Sequence, residues 1–334
     1  MDPNRVWYGR HPLGVALAPL SWLYCGIVAL RRAAYRRGML ERIRLPVPVV
    51  VVGNLTVGGT GKTPAVLALA RLVRSRGWTP AIITRGYGGH HQDGPARVPP
   101  EADPQAYGDE PLLLARRSGC PVVAGRDRVA AGRLALGDGQ VDLLIADDGL
   151  QHHRLQPDLE ILLIDGSRGF GNGRCLPAGP LREPRERLDS VDFILVTTGG
   201  QDEHPRESWP SSKRMWLAPG RAINLLHPER TRPLASFRDR PLFAVAAIGN
   251  PARFFAMLQA HGLCVQGRAY PDHHPFSQTE VSGWPSGPVL MTEKDAVKCA
   301  PFATADHWFL PVDAVLESAF IETFLQRLET CQHG

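Results

Sequence analysis

Residues 49–52 read Val-Val-Val-Val, an unbroken β-branched run entered past Pro46 and Pro48 and stopped at Gly53. A run that is apolar on both faces predicts a strand buried within a parallel sheet. From Lys62 to about Arg76 the apolar positions recur at helical spacing, and Gly77 ends the pattern. The alternation continues with a strand at 80–84, a loop over 90–108 carrying four prolines, a helix at 109–118 and a strand at 121–124. A helix at 126–136 and strands at 141–146, 159–164 and 191–196 complete it. Strands alternating with helices predict an α/β fold, a mostly parallel sheet with helices on both faces. Residues 199–213 are polar and without period, and 214–238 read as extended segments around Pro228-Glu229-Arg230. A second α/β pattern begins at 241, with a strand at Leu242–Ile248, a helix at Pro251–Ala260, a strand at Val289–Met291 and a helix after Thr292. The expected organisation is an N-terminal arm (1–45), a larger α/β domain (46–213), a linker (214–240) and a smaller α/β domain (241–330) closing over the first.

The length of 334 residues supports two cores, because single cores stop growing near about 250–300 residues. Charge changes the picture only in the arm. Residues 1–50 hold eight arginines (5, 10, 31, 32, 36, 37, 42 and 44) against Asp2 and Glu41, a net +6 that leaves the remainder near −1. A nucleic-acid protein would spread cations over a folded face, so no nucleic-acid partner is expected, and no obligate protein partner is evident. An uncharged run from Pro12 to Leu30 precedes the strongest basic cluster. The run reads in four ways: a cleaved signal peptide, a transmembrane span, a core helix, or a helix lying in a membrane interface. The basic cluster follows the apolar stretch, the wrong order for a signal peptide. Pro12, Gly14, Pro19, Ser21 and Gly26 weaken a span. The interfacial reading sets Arg31, Arg32, Arg36 and Arg37 against anionic headgroups. The six cysteines have no C-x-x-C spacing and fit a reducing compartment. The pairs His90-His91 and His152-His153 lack the spacing of a zinc site.

Between the first strand and the first helix lies Gly53-Asn54-Leu55-Thr56-Val57-Gly58-Gly59-Thr60-Gly61-Lys62-Thr63-Pro64. This is the context a Walker A phosphate loop requires: glycines turn backbone N–H groups inward, and the helix N-terminus adds its positive end. Residues 56–63 would hold the nucleotide, with Lys62 on the β- and γ-phosphates and the Thr63 hydroxyl on Mg²⁺. The usual leading glycine is replaced by Thr56. The chain has only four lysines, so a lysine at this point is informative. A Walker B acid belongs at the end of another buried strand, and Leu143-Leu144-Ile145-Ala146-Asp147-Asp148 supplies two.

In these strings and those that follow, the sequence resembles the tetraacyldisaccharide 4′-kinase family, the kinases of lipid A synthesis. The matching segments are residues 53–64, Thr84-Arg85-Gly86-Tyr87-Gly88, Gly108-Asp109-Glu110-Pro111, Asp147-Asp148-Gly149-Leu150-Gln151-His152, residues 176–183 (Leu-Pro-Ala-Gly-Pro-Leu-Arg-Glu), Asp272-His273 and Thr292-Glu293-Lys294-Asp295-Ala296-Val297-Lys298. They run in family order across about residues 50–300, and Thr56 looks like the family's own variant of the loop. The resemblance implies transfer of the ATP γ-phosphate to the 4′-hydroxyl of a tetraacyl disaccharide 1-phosphate, in a two-domain P-loop fold with a basic N-terminal membrane helix. It places the protein on the cytoplasmic face of the bacterial inner membrane, peripheral or monotopic, with a lipid-linked disaccharide substrate and an anionic membrane surface as partners. It also implies a base formed by Asp109 and His273, the latter brought by the smaller domain.

The remaining residues carry two readings each. Asp109 and Glu110 are also favourable acids at a helix N-terminus, and Glu110 joins Thr63, Asp147 and Asp148 as an expected Mg²⁺ neighbour. Arg85 either neutralises phosphate charge in catalysis or is a turn arginine. Gln151 either orients a water or phosphate oxygen or is a loop amide. Glu183, among Arg182, Arg185 and Arg187, is either a surface ion pair or part of a site for the substrate's 1-phosphate. Thr292 with Asp295 reads as a capping box, beside a direct role for Lys294. The competing function is a membrane-recruited ATPase or GTPase switch without a sugar substrate, which needs no base for an organic hydroxyl.

Overall fold

The structure, a computed structural model, describes residues 3–9, 11–91, 93–239 and 241–332. Asp2 and Arg10 of the basic arm lie outside them. Two sheets organise the chain. The first contains β1 (Val49–Asn54), β2 (Pro80–Thr84), β3 (Ala96–Arg97), β4 (Val122–Ala124), β5 (Leu143–Asp147), β6 (Leu159–Asp165), β7 (Phe193–Thr198), β8 (Lys213–Pro219) and β15 (Val312–Leu316). Its order is β15-β8-β7-β6-β1-β5-β2-β4-β3. The strands from β8 through β4 pair in parallel, and only the edge strands β15 and β3 run antiparallel. The four valines lie in the middle, and all six residues of β1 are buried.

Helices α4 (Lys62–Ser75), α6 (Asp109–Ser118) and α11 (Ser318–Gln332) cover one face, where Leu69, Val73, Leu114, Phe320, Phe324 and Leu328 form one core. Helix α7 (Arg128–Leu136) covers the other, where Val129, Ala131 and Ala135 pack with Val49, Leu144 and Phe170. The 90–108 stretch is loop except for β3 and the single turn α5 (Pro104–Tyr107).

The second sheet has the order β10-β9-β14-β13-β11-β12. These are β9 (Ala222–Asn224), β10 (Thr231–Arg232), β11 (Leu242–Ala246), β12 (Val265–Ala269), β13 (Val289–Thr292) and β14 (His307–Leu310). Helix α8 (Pro251–Ala260) follows β11, α9 (Gln278–Ser282) precedes β13, and α10 (Glu293–Cys299) follows it. The segment 214–240, expected as a linker, divides between the sheets. β8 joins the first by parallel pairing with β7, and β9 and β10 form a hairpin in the second. The chain end also differs from expectation: after β14 it returns through β15 and α11 to the first sheet.

The apolar run of the arm is broken at Leu17 into α2 (Pro12–Ala16) and α3 (Ala18–Arg36), after a first short helix, α1 (Pro3–Trp7). Among the described residues no helix is long and apolar enough to cross a membrane, which removes the spanning reading for α3. Nor is α3 a core helix, since only Ala18 and Ser21 on it are buried. One side is fixed to the body: Ser21 Oγ donates to the Cys175 carbonyl (2.8 Å), Tyr24 Oη to the Arg182 carbonyl (3.1 Å), and Cys25 is disulfide-bonded to Cys175. Cysteine spacing gave no sign of this pair, because its partners are 150 residues apart, and the bond corrects the expectation that all six cysteines are those of a reduced protein. The other side presents Leu20, Trp22, Leu23, Ile27 and Leu30 to solvent, with Trp22 73% exposed.

Candidate active site

Every parallel strand of the first sheet ends on the same edge, so the residues just past the strand ends converge. Ligands of open α/β sheets bind at this edge, where the chain turns to opposite sides. A cavity of about 890 Å³ opens there, between the sheet edge and the smaller domain. Its floor is the loop from Val57 to Thr63.

The loop is shaped by its own sequence. Gly58 (φ 112°) and Gly61 (φ 90°) take backbone angles that side chains rarely adopt. Asn54, fully buried at the end of β1, donates to the Thr56 carbonyl (2.7 Å) and accepts from Lys62 Nζ (3.1 Å). Thr56 is itself buried and bridges Leu181, and the Val57 amide donates to the Pro180 carbonyl (2.8 Å). The Thr56 hydroxyl also accepts from Asn54 Nδ2 (3.4 Å), a contact that a leading glycine could not make. From β7, Thr197 Oγ1 donates to the Thr60 carbonyl (2.8 Å).

The two acids at the end of β5 stand in different surroundings. Asp147 is buried: Oδ2 accepts from Thr84 Oγ1 (3.3 Å), whereas Oδ1 has no partner. Burial, with Glu110 and Asp148 nearby, pushes its pKa up to about 7. Asp148 has a left-handed backbone (φ 49°), and Arg182 Nη1 reaches both of its oxygens (3.0 and 2.8 Å) while Lys62 Nζ lies 3.5 Å away. Burial would raise its pKa, but Lys62 and Arg182 outweigh that and hold it far below the usual range.

Across the cavity the smaller domain contributes His273, another left-handed residue (φ 60°). His273 Nδ1 lies 3.1 Å from Oδ1 of the buried Asp109 at the start of α6. Burial alone would lower the His273 pKa and raise that of Asp109. Their mutual hydrogen bond overrides both effects, so the imidazole is raised and the carboxyl lowered. Lys294, at the start of α10, donates to Glu110 Oε1 (3.0 Å) and sits 3.3 Å from His273 Nε2. Burial would lower its pKa, but Glu110, Asp109 and Asp272 together raise it, so it remains charged. The Tyr87 ring lies against the imidazole, with centroids 4.9 Å apart. His274 turns away to Glu280 (2.8 Å) and stacks on Tyr270.

Most of the residues singled out in the sequence therefore share one cavity: residues 57–63, Arg85, Glu110, Asp147, Asp148, Gln151 and His273 all line it. Gln151 Nε2 donates to the Asn54 carbonyl (3.1 Å) and to Glu183 Oε1 (2.9 Å). Glu183 is neither a surface ion pair nor a wall of the cavity, because it is buried behind Gln151. Arg182, Arg185 and Arg187 do not form one cluster: Arg182 holds Asp148, Arg187 is buried against Glu160, and Arg185 lies over the Phe170 ring. Thr292 caps α10, accepting from the Asp295 amide (3.2 Å), and Asp295 in turn accepts from the Ala247 amide (2.9 Å). The cap and Lys294's place in the site are thus compatible. Sequence reasoning passed over Tyr87, Asp272, Arg128 and Arg253 as site residues. Tyr87 and Asp272 stand inside quoted motifs without a role of their own, whereas Arg128 and Arg253 lie outside every quoted motif.

Among the described residues no group of three or more His, Cys, Asp or Glu side chains is arranged to cage a metal ion unaided. Mg²⁺ commonly needs only one or two carboxylates plus phosphate oxygens and water. Asp147, with its unpartnered Oδ1, and Thr63 line the same cavity, which suits that kind of site.

Comparison with known proteins covers almost the whole chain. A family model described as tetraacyldisaccharide-1-P 4'-kinase matches residues 13–329. A protein named tetraacyldisaccharide 4'-kinase from Pseudomonas paraeruginosa is 51% identical over 97% of this chain and 96% of its own. One of the same name from Nitrosococcus oceani is 47% identical over 97% and 94%. Among solved structures, the "apo" form of LpxK from Aquifex aeolicus in complex with ATP superposes with a TM-score of 0.79. It is 30% identical, over 96% of this chain and 99% of that one.

Proposed function

The chain belongs to the tetraacyldisaccharide 4′-kinase family, enzymes of lipid A biosynthesis, and from that premise we propose which of its residues carry the reaction. As a kinase it moves the γ-phosphoryl group of ATP to the 4′-hydroxyl of a tetraacyl disaccharide 1-phosphate. The loop amides beyond Val57, whose own N–H is taken by the Pro180 carbonyl, and the Lys62 ammonium hold the triphosphate, where fixed donors stabilise charge on the transferring group. Thr63 and Asp147 would hold Mg²⁺, which would supply positive charge against the phosphates, and Asp148 and Glu110 line the same cavity. Asp147 is favoured over Asp148 because its Oδ1 is free and Asp148 is taken by Arg182.

A sugar hydroxyl is a weak nucleophile near neutral pH. Asp109 keeps a proton on His273 Nδ1, which leaves Nε2 to take the hydroxyl proton. A bond forms between the 4′-oxygen and the γ-phosphorus, the bond to the bridging oxygen breaks, and ADP leaves. Lys294 interacts with Nε2 and yields that position to the acceptor. Arg85, on the cavity wall, adds positive charge toward the phosphates. Gln151 and the buried Glu183 support the floor from behind.

The observation that carries this reading is the Asp109–His273 pair, assembled from two domains over a phosphate loop. A switch without an organic acceptor has no use for such a base, so that alternative is not favoured. The acyl chains require a lipid surface. The apolar row on α3, with the exposed Arg31, Arg36 and Arg37 at its end, supports docking in an anionic interface, whereas Arg32, expected there too, donates to Ser190 on the body. Dependence on ATP supports the cytoplasmic face of the inner membrane.

The test is phosphate transfer from ATP to a tetraacyl disaccharide 1-phosphate in mixed micelles, with ATP hydrolysis followed in parallel. Lys62→Ala and His273→Ala should each abolish transfer. Full transfer by Lys62→Ala would refute the phosphate-loop assignment, and full transfer by His273→Ala the base.

A further inference from the structure

We propose that Arg253, on the smaller domain, is a positioning residue for the phosphate loop, turning the Thr60 amide toward the nucleotide. The proposal rests on the reading of residues 56–63 as the triphosphate site. The smaller domain meets the loop backbone to backbone. A Cβ on Gly249 would fall 2.2 Å from the Gly59 nitrogen, so the approach admits no side chain. Three donors from either side hold this contact. Arg253 Nη2 donates both to Asp165 Oδ2 (2.6 Å), at the end of β6, and to the Gly59 carbonyl (2.8 Å). Asn250, the N-cap of α8, donates to the same Asp165 oxygen (3.0 Å), and Arg168 donates back to the Gly249 carbonyl (2.8 Å).

The consequence follows from peptide geometry. The Gly59 carbonyl and the Thr60 N–H belong to one planar trans unit and point in opposite directions. A donor pulling the carbonyl toward the smaller domain turns the N–H the other way, into the cavity. Thr197 does the same for the next unit by holding the Thr60 carbonyl, which orients the Gly61 N–H. One peptide of the cradle is thus set by the large sheet and its neighbour by the smaller domain. The second guanidinium nitrogen, Nη1, is buried without a partner, and Arg253 lines the cavity.

The experiment measures equilibrium binding of ATP and ADP, and steady-state transfer, for the wild type, Arg253→Met and Arg253→Lys. Loss of a charged donor to a half-buried carbonyl should weaken both nucleotides by about tenfold to a hundredfold. KM for ATP should rise in step, with kcat at saturating ATP and KM for the disaccharide nearly unchanged. Arg253→Lys keeps the charge on a shorter side chain and should fall between the wild type and Arg253→Met; it carries the comparison if Arg253→Met does not fold. Unchanged nucleotide affinity would overturn the proposal and leave Arg253 as domain cement. Weakened ATP with unchanged ADP would also overturn it, since that pattern marks a direct γ-phosphate ligand. If the wild type binds neither nucleotide, the phosphate-loop reading itself has failed and the proposal falls with it.

Discussion

His273 reaches the cleft from a left-handed backbone, which costs a non-glycine residue about 1 kcal/mol. Among the described residues Asp148 and Ser211 are the others, so two of three such positions lie in the site. Asp109 raises the proton affinity of the imidazole, so its basic form appears only above the ordinary histidine value of about 6.5. Transfer should therefore climb with pH through that raised value. In Asp109→Asn the climbing limb should shift to lower pH while the maximal rate falls by about 10²–10⁴-fold. A single-turnover pH–rate profile checks this, and an unmoved limb would remove Asp109 from the pair. Asp147→Asn keeps the shape of the side chain but not its charge, and it should remove the Mg²⁺ dependence of transfer along with most of the rate, as a Mg²⁺ titration would show. Asp147 and the phosphate loop were legible because each follows a buried strand and is contiguous in sequence. The Asp109–His273 contact joins residues 164 apart, so only family likeness could pair them. Lys294 and Arg253 had no periodic or spacing signal, since a single side chain reaching across a cleft leaves none.

At the scale of elements, α3 has two unlike faces: one fixed by Ser21, Tyr24 and Cys25, the other exposing Trp22, Leu23, Ile27 and Leu30. Replacing Trp22 and Leu23 by Glu removes two exposed anchors while sparing every contact to the body. The double variant should lose about tenfold or more in affinity for anionic vesicles, measured by co-sedimentation, yet retain nucleotide binding. Unchanged sedimentation would show that this face does not dock. Helix α11 returns from the far end of the chain to seat Phe320 and Phe324 against Phe193. Phe324→Ala should cost about 3–5 kcal/mol in denaturant unfolding. The central strands were legible to within a residue or two because burial on both faces forces continuous apolar runs. β8 and β15 were not, because a half-exposed pair at a sheet edge mixes Lys213, Arg214 and Asp313 with apolar residues and blurs the signal.

At the scale of the whole molecule, two clasps close the cleft. Asp165 with Arg253 and Asn250 forms one, and His273 with Asp109, beside Lys294 with Glu110, forms the other. The His273 contribution has a definite sign. Its folded pKa is raised, so its stabilisation is full below the unfolded histidine value and is lost as pH rises through the folded one. The difference in melting temperature between the wild type and His273→Gln should therefore shrink from acid toward alkaline pH, and a gap that is constant with pH would contradict the pairing. The two halves are joined in an unusual way. Pro219 stands opposite Val312 in the β8–β15 register, and the Gly220 amide donates to the Pro311 carbonyl at 2.9 Å. The outgoing and returning strands are thus neighbours at the point of departure, as in a hairpin whose turn has been replaced by a domain. A splice from Pro219 to Val312 through a turn of about two residues should be tolerated, since antiparallel strands need no more. The shortened protein should melt cooperatively with its large sheet intact, yet be inert as a catalyst, because the excised insert takes His273 and Lys294 with it.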